Sequence, residues 1–237
     1  MDDDAPVALV TGARRGLGRF LCEHLLARGY RVVGCSREAA DWESQGFEHW
    51  QADVTDEAQV EALLRRIRRT YGRLDVAVNN AAVASMNHVF LTPGASVEKM
   101  MATNALGTFL VSREAAKIMR RKKYGRIVNV SSVAVPLRLA GQAIYIASKA
   151  AVEKLSQTMA RELAEYGITV NVVGPAPIDT DMIRGVPQAK IDRLVESLPV
   201  RRLSSFDDVA NVVDFFLQAE SSAVTGQVIY LGGVPGP

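Results

Sequence analysis

Short apolar, β-branched runs alternate along this chain with longer stretches whose apolar residues recur at three- and four-residue intervals, a pattern of strands separated by amphipathic helices. The first run, Val7–Thr11, leads into a helical pattern at 16–28 that stops at Gly29. Runs at 31–35, 47–51 and 74–79 predict three more strands, with a helix at 56–71, closed by Gly72, before the last of them. Beyond a polar loop the pattern predicts a long helix at 96–122, a strand at 126–130, a second long helix at 143–166 and a strand at 168–173. A helix at 206–218 and a seventh strand at 227–231 complete the series. Strands joined by single helical crossovers run parallel, with right-handed connections. The expected fold is therefore α/β: one domain over 1–237, a Rossmann-like doubly wound parallel sheet of about seven strands with helices on both faces. Ligands of such sheets bind outside the carboxyl ends of the strands, which makes the Pro/Gly-rich stretch 174–187, within a wider loop region 174–198, the expected substrate lid.

Composition narrows the function classes. A chain of 237 residues, 48% of them hydrophobic, buries enough surface to need neither metal nor disulfide. A formal charge of +2 gives no field suited to nucleic acid or an anionic membrane. No apolar run approaches the ~20 residues that span a bilayer, and the acidic start, Asp2 to Asp4, is the reverse of an export signal, so a cytoplasmic protein is expected. Cys22 and Cys35 lack CxxC spacing, and His24, His49 and His88 are scattered, so no metal site is expected. Arg65, Arg66, Arg68 and Arg69 read as a solvated helix face supported by the Glu61–Arg65 pair. Arg120-Arg121-Lys122-Lys123 falls at a helix C-terminus, where the macrodipole favours cations, and could also dock an acidic carrier protein. Met100-Met101 and Phe215-Phe216 predict helix-face packing or a subunit contact.

The candidate chemistry begins at Thr11-Gly12-Ala13-Arg14-Arg15-Gly16-Leu17-Gly18, between the first strand and the first helix. Glycines there allow a tight turn and let backbone N–H groups approach a pyrophosphate, although the spacing is GxxxGxG and not the commoner GxGxxG. At the end of the second strand an NAD site usually carries an acid for the ribose hydroxyls, whereas this chain has Cys35-Ser36-Arg37. Arg14, Arg15 and Arg37 suit a 2′-phosphate, so NADP(H) is the expected cofactor; Glu38 keeps NAD(H) as the alternative. Tyr145 and Lys149 lie one helical turn apart on one face. The cation is expected to lower the phenol pKa toward the operating pH and so prepare it to protonate a developing alkoxide, while Ser132 donates to the same oxygen.

Together, TGxxxGxG at 11–18, Asn79-Asn80-Ala81, Asn104, Val130-Ser131-Ser132 and Tyr145-x-x-x-Lys149 resemble, in order and spacing, the short-chain dehydrogenase/reductase family. Within it, Gly167-Ile168-Thr169-Val170-Asn171 and Thr225-Gly226-Gln227 are most similar to the bacterial 3-oxoacyl-(acyl carrier protein) reductases. The resemblance implies a catalytic set of Asn104, Ser132, Tyr145 and Lys149, with Lys149 also on the nicotinamide ribose and Asn104 holding a relay water. It further implies Asp53 and the Val54 backbone at the adenine, Asn80 near the adenosine-side ribose, and Ile178 and Thr180 at the carboxamide. The chain departs from the family at Ala82 and Ala176, where glycine is usual, and at Tyr166, where carrier-binding relatives have a basic residue. The expected activity is NADPH-dependent reduction of a ketone to a secondary alcohol. The expected substrate is a 3-oxoacyl thioester, carrier- or CoA-bound, or a polyketide-like ketone, and the resemblance implies a homotetramer built on the two long helices. A secondary-alcohol dehydrogenase running oxidatively, or an idle NADP-binding regulatory protein, would use the same residues.

Overall fold

Val7–Thr11 is buried at every position, as a strand covered on both faces must be. In the computed structural model, which describes residues 4–180, 183 and 186–236, this run is β1 and sits inside the sheet. It is followed by α1 (Gly16–Ala27), β2 (Arg31–Ser36), β3 (Phe47–Gln51), α2 (Glu57–Tyr71), β4 (Val76–Asn79), α3 (Gly94–Met100) and α4 (Gly107–Met119). Then come β5 (Gly125–Val130), α5 (Ala134–Leu137), α6 (Ala143–Leu163), β6 (Ile168–Gly174), α7 (Gln188–Ser197), α8 (Phe206–Leu217) and β7 (Val228–Tyr230). All seven strands form one parallel sheet in the order β3-β2-β1-β4-β5-β6-β7. The order reverses between β1 and β4, which opens a crevice at their carboxyl ends. One face is covered by α2, α4 and α6 through residues such as Leu64, Leu110 and Met159, the other by α1 and α8 through Leu21, Leu25, Val213 and Phe216. The α/β doubly wound expectation is thus borne out.

Helix ends follow local chemistry. Asp56 caps α2 by accepting from the Gln59 N–H, Gly72 ends it at φ +68°, and Ser205 with Asp208 forms a capping box on α8. Four expectations need correcting. The helix expected over 96–122 is three pieces, with a π-helical turn, Met101–Leu106, between α3 and α4. There the Thr108 hydroxyl donates to the Asn104 carbonyl, diverting it from the regular ladder. The helix expected to 166 tightens after Leu163 into a 3₁₀ turn. β4 starts at Val76, because Asp75 turns its carboxylate to the Val7 N–H (2.8 Å) and the Arg73 guanidinium (2.8 Å). Finally, the 174–198 region is not all loop: α7 occupies its second half, while positions 181, 182, 184 and 185 lie outside the described residues. Among the described residues no helix is long and apolar enough to cross a membrane.

Candidate active site

A cleft of about 650 Å³ lies at the carboxyl ends of the strands, walled by the turn after β1, the end of β2, the loops after β3 and β4, the end of β5, α6 and the segment after β6. Gly12 turns the chain at φ +69°, and a Cβ there would come within 2.9 Å of the Asn80 amide and 3.0 Å of the Ala81 Cα. At Gly16, φ +57°, no atom lies within 4 Å of the missing Cβ, so the backbone faces open cleft. Arg15 leaves the N-terminus of α1 without a side-chain cap, and its first turn carries no acid. Uncapped N–H groups at the positive end of a helix beside an open cradle are a site for a pyrophosphate. Asn80 braces this turn: its amide donates to the Thr11 carbonyl (2.9 Å), and its own N–H and that of Ala81 donate to the Thr11 hydroxyl (3.0 Å each).

Arg14, Arg15, Arg37, Glu38, Asp53 and Val54 also line the cleft. Arg14 is ion-paired with Glu38, and its Nε is buried without a hydrogen-bond partner. Arg37 is exposed beside them. Asp53 uses one carboxylate oxygen to accept from the Thr55 N–H (2.9 Å) and hydroxyl (2.8 Å), while its own N–H donates to Gln59 (3.0 Å). Cys35 lines the wall too, but burial pushes its thiol up to about 12, which leaves it inert.

Ser132, Tyr145 and Lys149 share the opposite wall with Ile178 and Thr180. The Ser132 oxygen accepts from the Ala134 N–H (3.1 Å) at the start of α5, which leaves its hydroxyl hydrogen available to donate. Lys149 is 3% exposed, its Nζ donates to the Val130 carbonyl (2.8 Å), and it lies 5.9 Å from the Tyr145 ring centre. Burial drives the ammonium down to about 8, with the Glu153 carboxylate pulling the other way. The expected lowering of the Tyr145 pKa is not found: burial pushes the phenol up, and only the hydrogen bond with Ser132 opposes it. The reason is distance and commitment, since Lys149 is turned to Val130. At neutral pH Tyr145 is therefore a protonated phenol.

Asn104 is brought near the site but not to its wall. It is fully buried, its amide donating to the Val83 carbonyl and the Ser148 hydroxyl (2.9 Å each) and accepting from the Val83 N–H (2.9 Å). It braces the loop after β4. Ala82 and Ala176 cost no backbone strain, because among the described non-glycine residues only Lys123 and Arg138 have positive φ. Sequence reasoning missed Glu153 and Tyr230, which bond each other behind Lys149 (2.7 Å). The position of Glu153, one turn after Lys149 on the same helix, was the available signal. It also missed Lys99, Thr103 and Ile183 in the cleft wall. Of the paired apolar residues, Met100 and Phe216 are core while Met101 and Phe215 are part-exposed.

Residues 12–233 match the family model described as Enoyl-(Acyl carrier protein) reductase. The 3-oxoacyl-(acyl-carrier-protein) reductase of Escherichia coli is 34% identical over 239 residues, covering 98% of each chain. That of Staphylococcus aureus is 35% identical, covering 95% of this chain and 96% of its own. Among solved structures, a gluconate 5-dehydrogenase from Burkholderia cenocepacia, in complex with NADP and tartrate, superposes with a TM-score of 0.92 at 29% identity, covering 97% of this chain and 94% of its own. With the family model matched over residues 12–233 and two relatives 34% and 35% identical over nearly their full length, the protein belongs to the short-chain dehydrogenase/reductase family of NAD(P)-dependent oxidoreductases and is similar within it to the 3-oxoacyl-(acyl-carrier-protein) reductases.

Proposed function

We propose that this protein is an NADPH-dependent ketoreductase that converts a 3-oxoacyl thioester or a polyketide-like ketone to a secondary alcohol. The observation that carries the reading is the convergence of the Ser132 hydroxyl, the protonated Tyr145 phenol and the Lys149 ammonium on one wall of a cleft whose other wall is a pyrophosphate cradle. When bound, the nicotinamide supplies hydride. Ser132 holds the carbonyl oxygen, Tyr145 gives it a proton as negative charge develops, and Lys149 offsets the charge left on the phenol. Lys149 would also hold the nicotinamide ribose, Ile178 and Thr180 would take the carboxamide, Asp53 and Val54 the adenine, and Asn80 would border the adenosine-side ribose, all of them residues that line the cleft. Asn104, whose amide is bonded to Val83 and Ser148, keeps the loop under this assembly in place.

Arg14, Arg15 and Arg37 form the corner that favours the 2′-phosphate, and the partnerless Arg14 Nε supports this choice of cofactor. Replacing Arg14 and Arg37 together by alanine is expected to raise KM for NADPH by roughly 10- to 100-fold and leave KM for NADH within about twofold. The assay is loss of reduced-nicotinamide absorbance with either cofactor, against acetoacetyl thioesters and a panel of cyclic and aromatic ketones. No turnover of any of these by the wild type would overturn the reading.

The basic run 120–123 is exposed but precedes β5, and so lies at the amino end of the sheet. That is roughly 17–20 Å, one strand length, from the cleft of its own chain. Substrate is therefore proposed to reach the cleft without this run framing its mouth. Part-exposed Met101, Leu106 and Phe109 along the α3–α4 path support a homotetramer, to be measured by light scattering. None of the large exposed hydrophobics lies on α6.

A further inference from the structure

A carboxylate is costly to bury unless it is tied down by donors, so a glutamate that is 4% exposed inside a helix needs a reason. Glu153 follows Lys149 by one turn of α6. Its Oε1 accepts from the Ser131 hydroxyl (2.5 Å) and from the Tyr230 hydroxyl (2.7 Å). Lys149 and Glu153 thus grip consecutive residues at the end of β5, the first through the Val130 carbonyl and the second through the Ser131 side chain. The next residue is Ser132. On its far side Ser131 is fixed by its N–H to the Val173 carbonyl (2.7 Å), and Tyr230 packs with Val133, Ala176 and Leu198 beneath the segment after β6.

We propose that Glu153 is a positioning residue for the reaction: by joining α6, the end of β5 and β7 through one carboxylate, it fixes Ser132 opposite Tyr145 and holds Lys149 in its working place. This rests on the ketoreductase reading. A purely structural glutamate would be served as well by its neutral amide, which accepts the same two hydrogen bonds. The charge matters because Lys149 is buried. The titratable groups around it are Tyr145 and Glu153 on its own helix, Tyr230 on β7 bonded to Glu153, and Lys99 of α3 in the same cleft wall. β5 offers only the Val130 carbonyl and the Ser131 hydroxyl. Glu153 is thus the negative charge that opposes the desolvation of the ammonium.

The test is Glu153→Gln, with Glu153→Asp as the charge-conserving control. The kcat/KM profile of the wild type should fall on the alkaline side near pH 8, where Lys149 loses its proton. In Glu153→Gln that limb should move to lower pH by about one unit, with kcat/KM at pH 7 reduced roughly 10-fold and the KM for NADPH little changed; Glu153→Asp should recover the limb. A second readout needs no turnover. Lys149 binds its proton more weakly when folded, about 8 against 10.5, so the unfolded chain holds more protons across that window and stability from this group rises with pH through it. Urea denaturation of the wild type minus Lys149→Met isolates that slope, and in the Glu153→Gln background it should begin at lower pH. A folded Glu153→Gln with the same limb and the same slope would overturn the proposal. A shifted slope in a protein that turns over no ketone would instead uphold the Glu153–Lys149 coupling and defeat the ketoreductase reading. If Glu153→Gln does not fold, Tyr230→Phe removes one of the two donors and keeps the packing. A several-fold loss of kcat at constant KM for NADPH supports the proposal, and unaltered kcat overturns it.

Discussion

Replacing Tyr145 by phenylalanine is expected to reduce kcat for ketone reduction by about 10³-fold while leaving NADPH affinity within a few-fold of the wild type. The substitution keeps the ring, which packs at the start of α6, and removes one hydroxyl. Two hydroxyl groups of the cleft wall would face the reacting oxygen in the proposed reaction, and they are not equivalent. Ser132 accepts from the Ala134 N–H and, as an alcohol, is too weak an acid to give up its proton at neutral pH. Tyr145 is held protonated by burial, so at pH 7 the acid form is the resting form, and a buried ammonium stands 5.9 Å from its ring to meet the charge that appears when the proton leaves. Single-turnover absorbance decay at saturating NADPH measures the step, and fluorescence titration of NADPH measures binding. Retention of more than a tenth of the wild-type kcat would mean that solvent or Ser132 delivers the proton and that the assignment of Tyr145 is wrong. Ser132→Ala is the companion variant. It leaves the acid in place and removes the group that holds the carbonyl, so its loss should be smaller, about 10²-fold.

The fold was legible because its elements are written in two different periods. β1 is an apolar run and β6 a β-branched run interrupted by Asn171, both buried at every residue, and the helices between them carry their apolar residues on one side. What escaped is local and context-bound. The π-helical turn at Met101–Leu106 coincides with Asn104 bonding the loop after β4 and Thr108 bonding back to Asn104, partners that no helical pattern reveals. α7 has one buried residue, Ile191, and so gives a weak stripe. The cleft residues were legible for a different reason: glycines at a strand-to-helix turn and a Tyr and Lys at helical spacing are fixed by what a phosphate and a proton transfer require. The direction of the Tyr145 shift was not, because it depends on how far Lys149 reaches and on the carbonyl it finds first. Glu153 was hidden among the charged residues that a helix ordinarily shows to water. The hydroxyls of Tyr230 on β7 and of Ser131 after β5, which the fold brings to one carboxylate oxygen, make it a buried junction.

Gly18→Ala is expected to lower NADPH affinity by about 100-fold or more and to destabilise the protein by about 1–3 kcal/mol, against the usual preference of a helix for alanine. Gly18 lies in the first turn of α1 and has no unusual φ, so backbone freedom does not explain it. Space does. A Cβ there would sit 2.1 Å from the Gly12 carbonyl oxygen, 2.6 Å from the Asn80 amide nitrogen and 2.8 Å from the Gly12 carbonyl carbon. The first and third are backbone atoms of the turn that faces the cleft, and they cannot swing aside as the tip of a long side chain could. The Asn80 amide is itself bonded to the Thr11 carbonyl. To admit one methyl group, α1 must move away from the glycine turn by about 1 Å, since real contacts of this kind begin near 3 Å. That shift displaces the N–H groups offered to the pyrophosphate, and a misplacement of this size costs on the order of 10² in binding or rate. The gain in helix propensity, about 1 kcal/mol, is smaller than the overpacking it must offset. Gly94→Ala is the control: it too lies at a helix N-terminus, but nothing is within 4 Å of its missing Cβ, so neither NADPH affinity nor the urea midpoint should change appreciably. Equal behaviour of the two variants would show that close approach at Gly18 is not what shapes the cofactor cradle.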